Sequence, residues 1–383
     1  MISTDTGAAA QPRFWRVISI FLQREGIVIG WTLAIKVLLF FFGVVAYQVL
    51  ENKSVAGLRG VLQIWNRWDA PAYQHLAQFG YQMTSEFKTW FYPLFPWVVR
   101  LFAYLSGDYV VSAFVVSGIA LIVAAILLRR VVELDFASDV ALRSVWFLLI
   151  FPTAYFLHIG YTESLFLSLA LGSIFAARRQ WWWLAGLLGA LSCMTRANGI
   201  ILIPTLAVEA AHQYFSQRKL RWQWLWIALV PLGFGVYLFL NWRVTGDPFA
   251  AFRMRKAMSS TSFAGPWVGM RGALGIMMDW KPDQAEMAGT QEFVFALLGL
   301  IGVVLSWIKL RPIYAMWMTG NWLLFASVTF LQSMPRYTLT MFPIFILFGL
   351  LAANRFWNFV LTVWSLLFLA LFTSLFMRGW WAF

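Results

Sequence analysis

The chain alternates long apolar runs with short polar connectors rich in arginine. A hydrocarbon core about 30 Å thick needs roughly 20 apolar residues in a helix, and runs of that order recur from residue 27 to residue 377. The first spans 27–49. The stretch 50–106 is read as an outer loop, helical in its first part. It ends in a half-helix over 91–106, because "FYPLFPWVVRLFAYLSGDY" holds two prolines and an arginine and is too short and broken to cross. Core spans follow over 109–242, at about 109–128, 143–159, 162–177, 181–194, 198–214 and 222–242. A second outer loop, 243–291, precedes spans at 292–308, 312–331, 337–353 and 356–377. The pattern predicts a single all-α polytopic membrane domain over 1–383, with about eleven transmembrane helices.

Arginines set the orientation. Arg13, Arg16 and Arg24 precede the first span, and later connectors carry "RRQ", "QRKLRW", "KLRP" and "NRF". The positive-inside rule therefore places the N-terminus inside and the loops 50–90, 243–291 and 332–336 outside. Composition agrees with a membrane chain: 61% of residues are hydrophobic and 12% charged, against about 45–50% and about 25% in soluble domains. The formal charge of +13 sits mostly between apolar segments, where positive-inside bias and anionic lipid account for it, so no nucleic-acid partner is expected. The 23 tryptophans suit interfacial belts. No small-residue cleavage site follows an apolar core near the N-terminus, so no cleaved signal peptide is expected. One cysteine, Cys193, excludes an internal disulfide, and three widely separated histidines give no metal-ligand spacing. Neither a metal nor a cofactor is expected. The absence of a glycine-rich phosphate loop argues against a nucleotide-sugar donor or an ATP-driven step.

Three ionisable residues stand alone in apolar surroundings. Glu163, in "GYTESLF", is the only formal charge between Arg143 and Arg178. Arg196, in "MTRANG", is alone between Arg179 and Glu209, and Arg336, in "SMPRYTL", between Arg311 and Arg355. The threading puts all three at outer helix ends, on the side of Asp69. Charges in such segments are costly and tend to mark functional sites. Each taken singly also reads as a headgroup anchor or snorkelling side chain. Together the four predict one outward-facing polar site.

The stretches "RWDAPAYQHLAQFGY", "YPLFP", "FPTAYFLHIGYTESLFL", "WWLAGLLGALSCMTRANGIILIP", "TGDPFAAF" and "SMPRYTLTMFPIF" occur in that order. The ordered set resembles the class V mannosyltransferase family of glycosylphosphatidylinositol synthesis and its prokaryotic relatives, from about residue 60 to 350. The resemblance implies the GT-C fold of polyprenyl-phosphate-sugar-dependent glycosyltransferases. It also implies transfer of mannose from a polyprenyl-phosphate donor to a lipid-linked or glycolipid acceptor, and Asp69 as catalytic base. The chain lacks the longer loops expected of the eukaryotic enzymes. The reading is therefore a prokaryotic relative in the plasma membrane, with its active site on the outer face.

The residues themselves leave alternatives open. Asp69 is also placed as a helix N-cap, with Pro71 in the first turn and Gly80 as a stop. Glycosyl transfer from a phosphate needs one carboxylate to take the acceptor proton, and cations to receive the leaving phosphate. Trp68 and Tyr73 are candidate sugar-stacking faces or interfacial anchors, and His75 lines the site or packs. Glu163 orients the acceptor, pairs with an arginine or serves as a second carboxylate. Arg196 with Asn198, and Arg336 with Tyr337, complete the substrate-facing set. Arg253, Arg255 and Lys256 in "RMRKAM" are weaker phosphate candidates, equally readable as a headgroup-facing strip. The competing function is a non-enzymatic flippase or transporter of lipid-linked sugars, for which mid-bilayer charges and a pseudo-repeat would be the signs.

Overall fold

The computed structural model describes residues 13–82, 89–258, 261–279 and 286–382. Helices make up nearly all of the regular structure. Beside them, among the described residues, stands one isolated antiparallel bridge between Phe263 and Val328. In chain order the first helices are α1 (Arg13–Glu51), α2 (Gly57–Ile64), α3 (Ala70–Phe79), α4 (Leu94–Ser106), α5 (Tyr109–Val132) and α6 (Ser138–Ile150). Then come α7 (Tyr155–His158), α8 (Glu163–Arg178), α9 (Trp182–Cys193), α10 (Leu202–Gln217), α11 (Val230–Thr245) and α12 (Ala250–Met258). The last are α13 (Pro266–Asp279), α14 (Glu286–Lys309), α15 (Pro312–Ala326), α16 (Met334–Thr338), α17 (Pro343–Leu351) and α18 (Arg355–Met377).

Among the described residues five stretches are long and apolar enough to cross a bilayer: Ser19–Glu51, Tyr109–Val132, Trp222–Thr245, Gly289–Lys309 and Arg355–Met377. The protein is multi-pass. Several of the expected spans are interrupted, and proline explains the breaks at Phe151 and before α17. The run 143–159 stops at Ile150 because Phe151 precedes Pro152 and is pushed to extended backbone (φ −53°, ψ 147°). The run 337–353 divides into α16 and α17, with Pro343 opening the second. The run 198–214 starts as a 3-10 turn, Ala197–Ile201, and Trp222–Leu229 is likewise 3-10 before Pro231 opens α11. α4 has 13 residues, about 20 Å of helix. It begins where the Leu94 amide donates to the Met194 carbonyl at 2.9 Å and ends at a left-handed Gly107 in the turn into α5.

The core is a bundle in which α5 packs along α8, α8 along α9, and α6 against α17. α9 and α11 touch backbone to backbone: a Cβ on Gly233 would collide with the Ala190 carbonyl. Only glycine permits that approach.

Charges fall into two layers at opposite ends of α8, roughly 24 Å apart by its 16 residues. One layer gathers at the end of α8. There Arg178 grips Asp135 at 2.6 and 2.8 Å, Tyr314 donates to Asp135 at 2.8 Å, and Arg311 holds Glu209 at 2.8 and 3.0 Å. Arg130 reaches the buried Glu25 at 2.8 Å, and Arg129 pairs with Glu133 at 2.8 Å. The other layer gathers at the start of α8, around Glu163.

Candidate active site

The three residues singled out by their isolation in the sequence meet Asp69 there. Arg336 Nη1 donates to Asp69 Oδ2 at 2.9 Å, and its Nε donates to Glu163 Oε1 at 2.5 Å. Arg196 Nη1 donates to the same Glu163 oxygen at 2.5 Å and to the Thr162 hydroxyl at 2.9 Å. Two carboxylates and two guanidiniums alternate in one chain: Asp69, Arg336, Glu163, Arg196. Their formal charges cancel, which is the condition for burying them together. Glu163 is fully buried and the Arg336 side chain 6% exposed, whereas that of Asp69 is 34% exposed. Asp69 is the open end of the chain.

The proline break after α6 builds the walls. Released from the helix, Thr153 donates its hydroxyl to the Pro335 carbonyl at 2.9 Å, tying that turn to α16. Phe156 and Tyr161 then sit over the Arg336 guanidinium at 4.8 and 4.9 Å. A guanidinium is stabilised on aromatic faces while its edge stays free to donate. Tyr161 also donates to the Arg67 carbonyl at 2.7 Å, two residues before Asp69.

The Asp69 loop is held from several sides. Asn66 and Gln74 exchange reciprocal amide hydrogen bonds at 3.1 and 2.8 Å, closing the turn onto α3. Trp68 adopts a left-handed backbone (φ +54°), uncommon for a bulky residue. The capping expectation for Asp69 fails. Its own backbone is already helical (φ −72°, ψ −23°), and its side chain makes no cap hydrogen bond. A cap needs extended backbone so that the carboxylate turns back onto the first amides. Asp108 satisfies this before α5, with φ −135° and bonds to the Val110 and Val111 amides at 2.7 and 3.1 Å. The carboxylate of Asp69 points to Arg336 instead.

The remaining candidates divide. Tyr73 is buried beside the cluster, its ring edge-on to Phe91, Phe95 and Tyr161. Burial raises its phenol above the ordinary range, with the Asp69 charge adding to the push, so it remains neutral. Trp68 is 44% exposed at the rim, edge-on to Trp381 at 5.6 Å. Tyr337 stacks on Phe325 at 3.9 Å and lies under the Arg196 guanidinium at 5.7 Å. His75 packs on Phe79, along its own helix, at 4.7 Å. Asn198 turns away into the protein. It is 2% exposed and donates to Asn321 Oδ1 at 2.8 Å, locking the 3-10 turn to α15. Arg253 is exposed and ion-paired with Asp247, Lys256 is exposed, and the side chain of Arg255 lies outside those described. Sequence reasoning missed Phe156, Tyr161 and Thr162. Their signal was present in "FPTAYFLHIGYTESLFL", where aromatic residues flank Glu163. Among the described residues, no group of three or more His, Cys, Asp and Glu side chains is arranged to hold a metal ion.

A family model described as mannosyltransferase (PIG-V) matches residues 51–256, which include Asp69, Glu163 and Arg196. GPI mannosyltransferase 2 of Yarrowia lipolytica is 33% identical over 111 residues, or 28% of this chain and 31% of that protein. The match thus spans about a third of that relative's length. Two solved structures of the Archaeoglobus fulgidus oligosaccharyltransferase align over 90% and 91% of this chain and 52% and 55% of theirs. One is a complex with zinc and sulfate, the other with an inhibitory peptide and a dolichol-phosphate. Identity is 11% in both, with TM-scores of 0.43 and 0.42.

Proposed function

The chain belongs to the mannosyltransferase (PIG-V) family, and we propose that it transfers mannose from a polyprenyl-phosphate donor to a lipid-linked or glycolipid acceptor on the outer face of the membrane, with inversion at the anomeric carbon. The observation that carries this reading is the alternating chain of four charges, buried at Glu163 and Arg336 and open at Asp69.

In the proposed step an acceptor hydroxyl oxygen attacks the anomeric carbon as the bond from that carbon to the phosphate oxygen breaks. The hydroxyl proton passes to the Asp69 carboxylate, and the bonding electrons leave with the polyprenyl phosphate. One base suffices because a phosphate departs without protonation. Arg336 holds Asp69 by one nitrogen and buried Glu163 by another, so its role in this reading is to fix the base. Arg196, with its side chain 13% exposed and over Tyr337, is the better candidate to meet the phosphate. No metal or cofactor enters the scheme.

The test is transfer by purified protein in nanodiscs, with polyprenyl-phosphate-mannose and GDP-mannose offered separately. Mannosylated lipid formed only from the former supports the proposal. Transbilayer movement of a labelled lipid-linked sugar with no glycoside formed would support the flippase reading instead.

A further inference from the structure

The described residues hold a second buried carboxyl group close to the site, Glu292 on α14, which the proposed chemistry does not use. It is 1% exposed. One oxygen accepts the Ser333 amide and the other the Met334 amide, both at 2.7 Å. The Trp381 indole donates to the same carboxyl group. Three donors from two remote segments converge on one side chain.

Each donor leads to one half of the Asp69–Arg336 pair. Ser333 has φ +63° and opens α16, whose first turn carries Arg336 three residues later. α16 has no side-chain cap of its own from Ser333, so Glu292 supplies the acceptors for its leading amides. On the other side, Trp381 stands edge-on to Trp68, whose own φ of +54° sets the turn immediately before Asp69. The segment bearing Trp381 is anchored at both ends. Arg378 donates to Glu51 at 2.8 Å, and Tyr155 donates to the Ala382 carbonyl at 2.8 Å. Left-handed backbone at a bulky or polar residue persists only where its surroundings over-determine it. Two such residues flank the pair, and Glu292 bonds to one and reaches the other through Trp381.

We infer that Glu292 is a positioning residue that sets the separation of Asp69 and Arg336, acting on Arg336 through the α16 backbone and on Asp69 through Trp381 and Trp68. The catalytic part of this inference rests on the proposed mannosyl transfer; the positioning part does not. A carboxyl group suits the task because both oxygens accept, whereas an amide of the same size would turn an NH2 group against one of the backbone amides.

The experiment compares wild type with Glu292→Gln, and with Trp381→Phe in case the first variant does not fold. Trp381→Phe keeps an aromatic ring at the Trp68 contact and loses the five-membered ring with its N–H. Two readouts are taken on folded protein in nanodiscs: transfer kinetics, and hydrogen exchange of the peptides covering 333–338 and 66–72. The inference expects turnover to fall by roughly 10- to 100-fold with donor affinity nearly unchanged, the usual cost of a small misplacement. It also expects faster exchange in those two segments and none in α5. Placed in an Arg336→Lys background, Glu292→Gln then adds little further loss, because both changes act on the same pair. Unchanged exchange at both segments, or turnover lost only in proportion to folded protein, overturns the inference. A wild type without transferase activity would defeat the functional reading, and the exchange data alone would then decide the positioning.

Discussion

Asp69 and Arg336 are 267 residues apart in the chain, and their side chains meet at 2.9 Å. The arginine that holds Asp69 also holds Glu163, with a different nitrogen at 2.5 Å. A fork of fixed geometry thus measures the distance between an exposed carboxylate and a buried one, between two aromatic faces.

Arg336→Lys retains the positive charge but has one nitrogen to offer where two are needed. Turnover in this variant should drop on the order of 10-fold or more, and in Arg336→Ala by about 100-fold, the scale of losing one preorganised donor. The alanine variant should also lose thermal stability, since Glu163 keeps Arg196 alone against its burial. Wild-type turnover in Arg336→Lys would show that a point charge suffices.

Asn198 separates structure from chemistry. Its amide satisfies Asn321 inside the bundle, so Asn198→Ala leaves a buried acceptor without its donor, a cost of about 1–3 kcal/mol. Melting in detergent should shift downward while kcat/KM per folded molecule stays within about twofold, because the residue touches no reacting group in this account. A selective loss of donor affinity at an unchanged melting temperature would return Asn198 to the substrate site.

The opposite charged layer gives a pH signature. Burial pushes the Asp135 carboxyl up, but the Arg178 hydrogen bond and charge, with the Tyr314 hydroxyl, outweigh it and hold the group below its usual value. Glu133 follows the same course: burial raises it, and hydrogen bonds from Arg129 and Arg24 bring it below the ordinary range. A carboxyl depressed in the folded state stabilises above its unfolded value, about pH 4, and loses that contribution as pH falls through the lower folded value. Wild-type melting temperature should therefore fall with acid below about pH 5. Asp135→Asn should melt lower at pH 7 and show a shallower acid slope. Parallel slopes for the two proteins would remove Asp135 from the account.

Sidedness is tested by labelling in intact cells, in a background with Cys193 replaced. Lys53 and Lys219 are both exposed, the first beyond α1 near Glu51 and the second after α10. Lys53→Cys should react with an impermeant thiol reagent and Lys219→Cys should not. The reverse pattern would turn the site to the inside.

Much of this site was legible in the sequence because isolated charges in apolar runs have few neutral explanations. That argument singles out Glu163, Arg196 and Arg336, the threading sets them on the side of Asp69, and the structure joins all four. Asn198 stands beside Arg196 in the sequence and Arg253 belongs to a basic run, neither of which says where a side chain points, and neither joins the cluster. The helix breaks were harder. Pro152 and Pro343 sit inside runs of ample hydrophobicity, and hydropathy does not register the extended backbone that a proline imposes on the residue before it. Glu292 was invisible for another reason: at the head of an apolar run it looks like a boundary residue, and only the fold brings Ser333, Met334 and Trp381 to it.

The central claim is that Asp69 takes the acceptor proton, and Asp69→Asn tests it most directly. The asparagine keeps an oxygen for Arg336, and no helix cap is lost because the aspartate side chain makes none. It cannot accept the proton. The account predicts a folded variant that still binds polyprenyl-phosphate-mannose, with transfer reduced by about 100-fold or more. Transfer at the wild-type rate, measured on the same purified preparation, would contradict it and leave Asp69 as a partner of Arg336 alone.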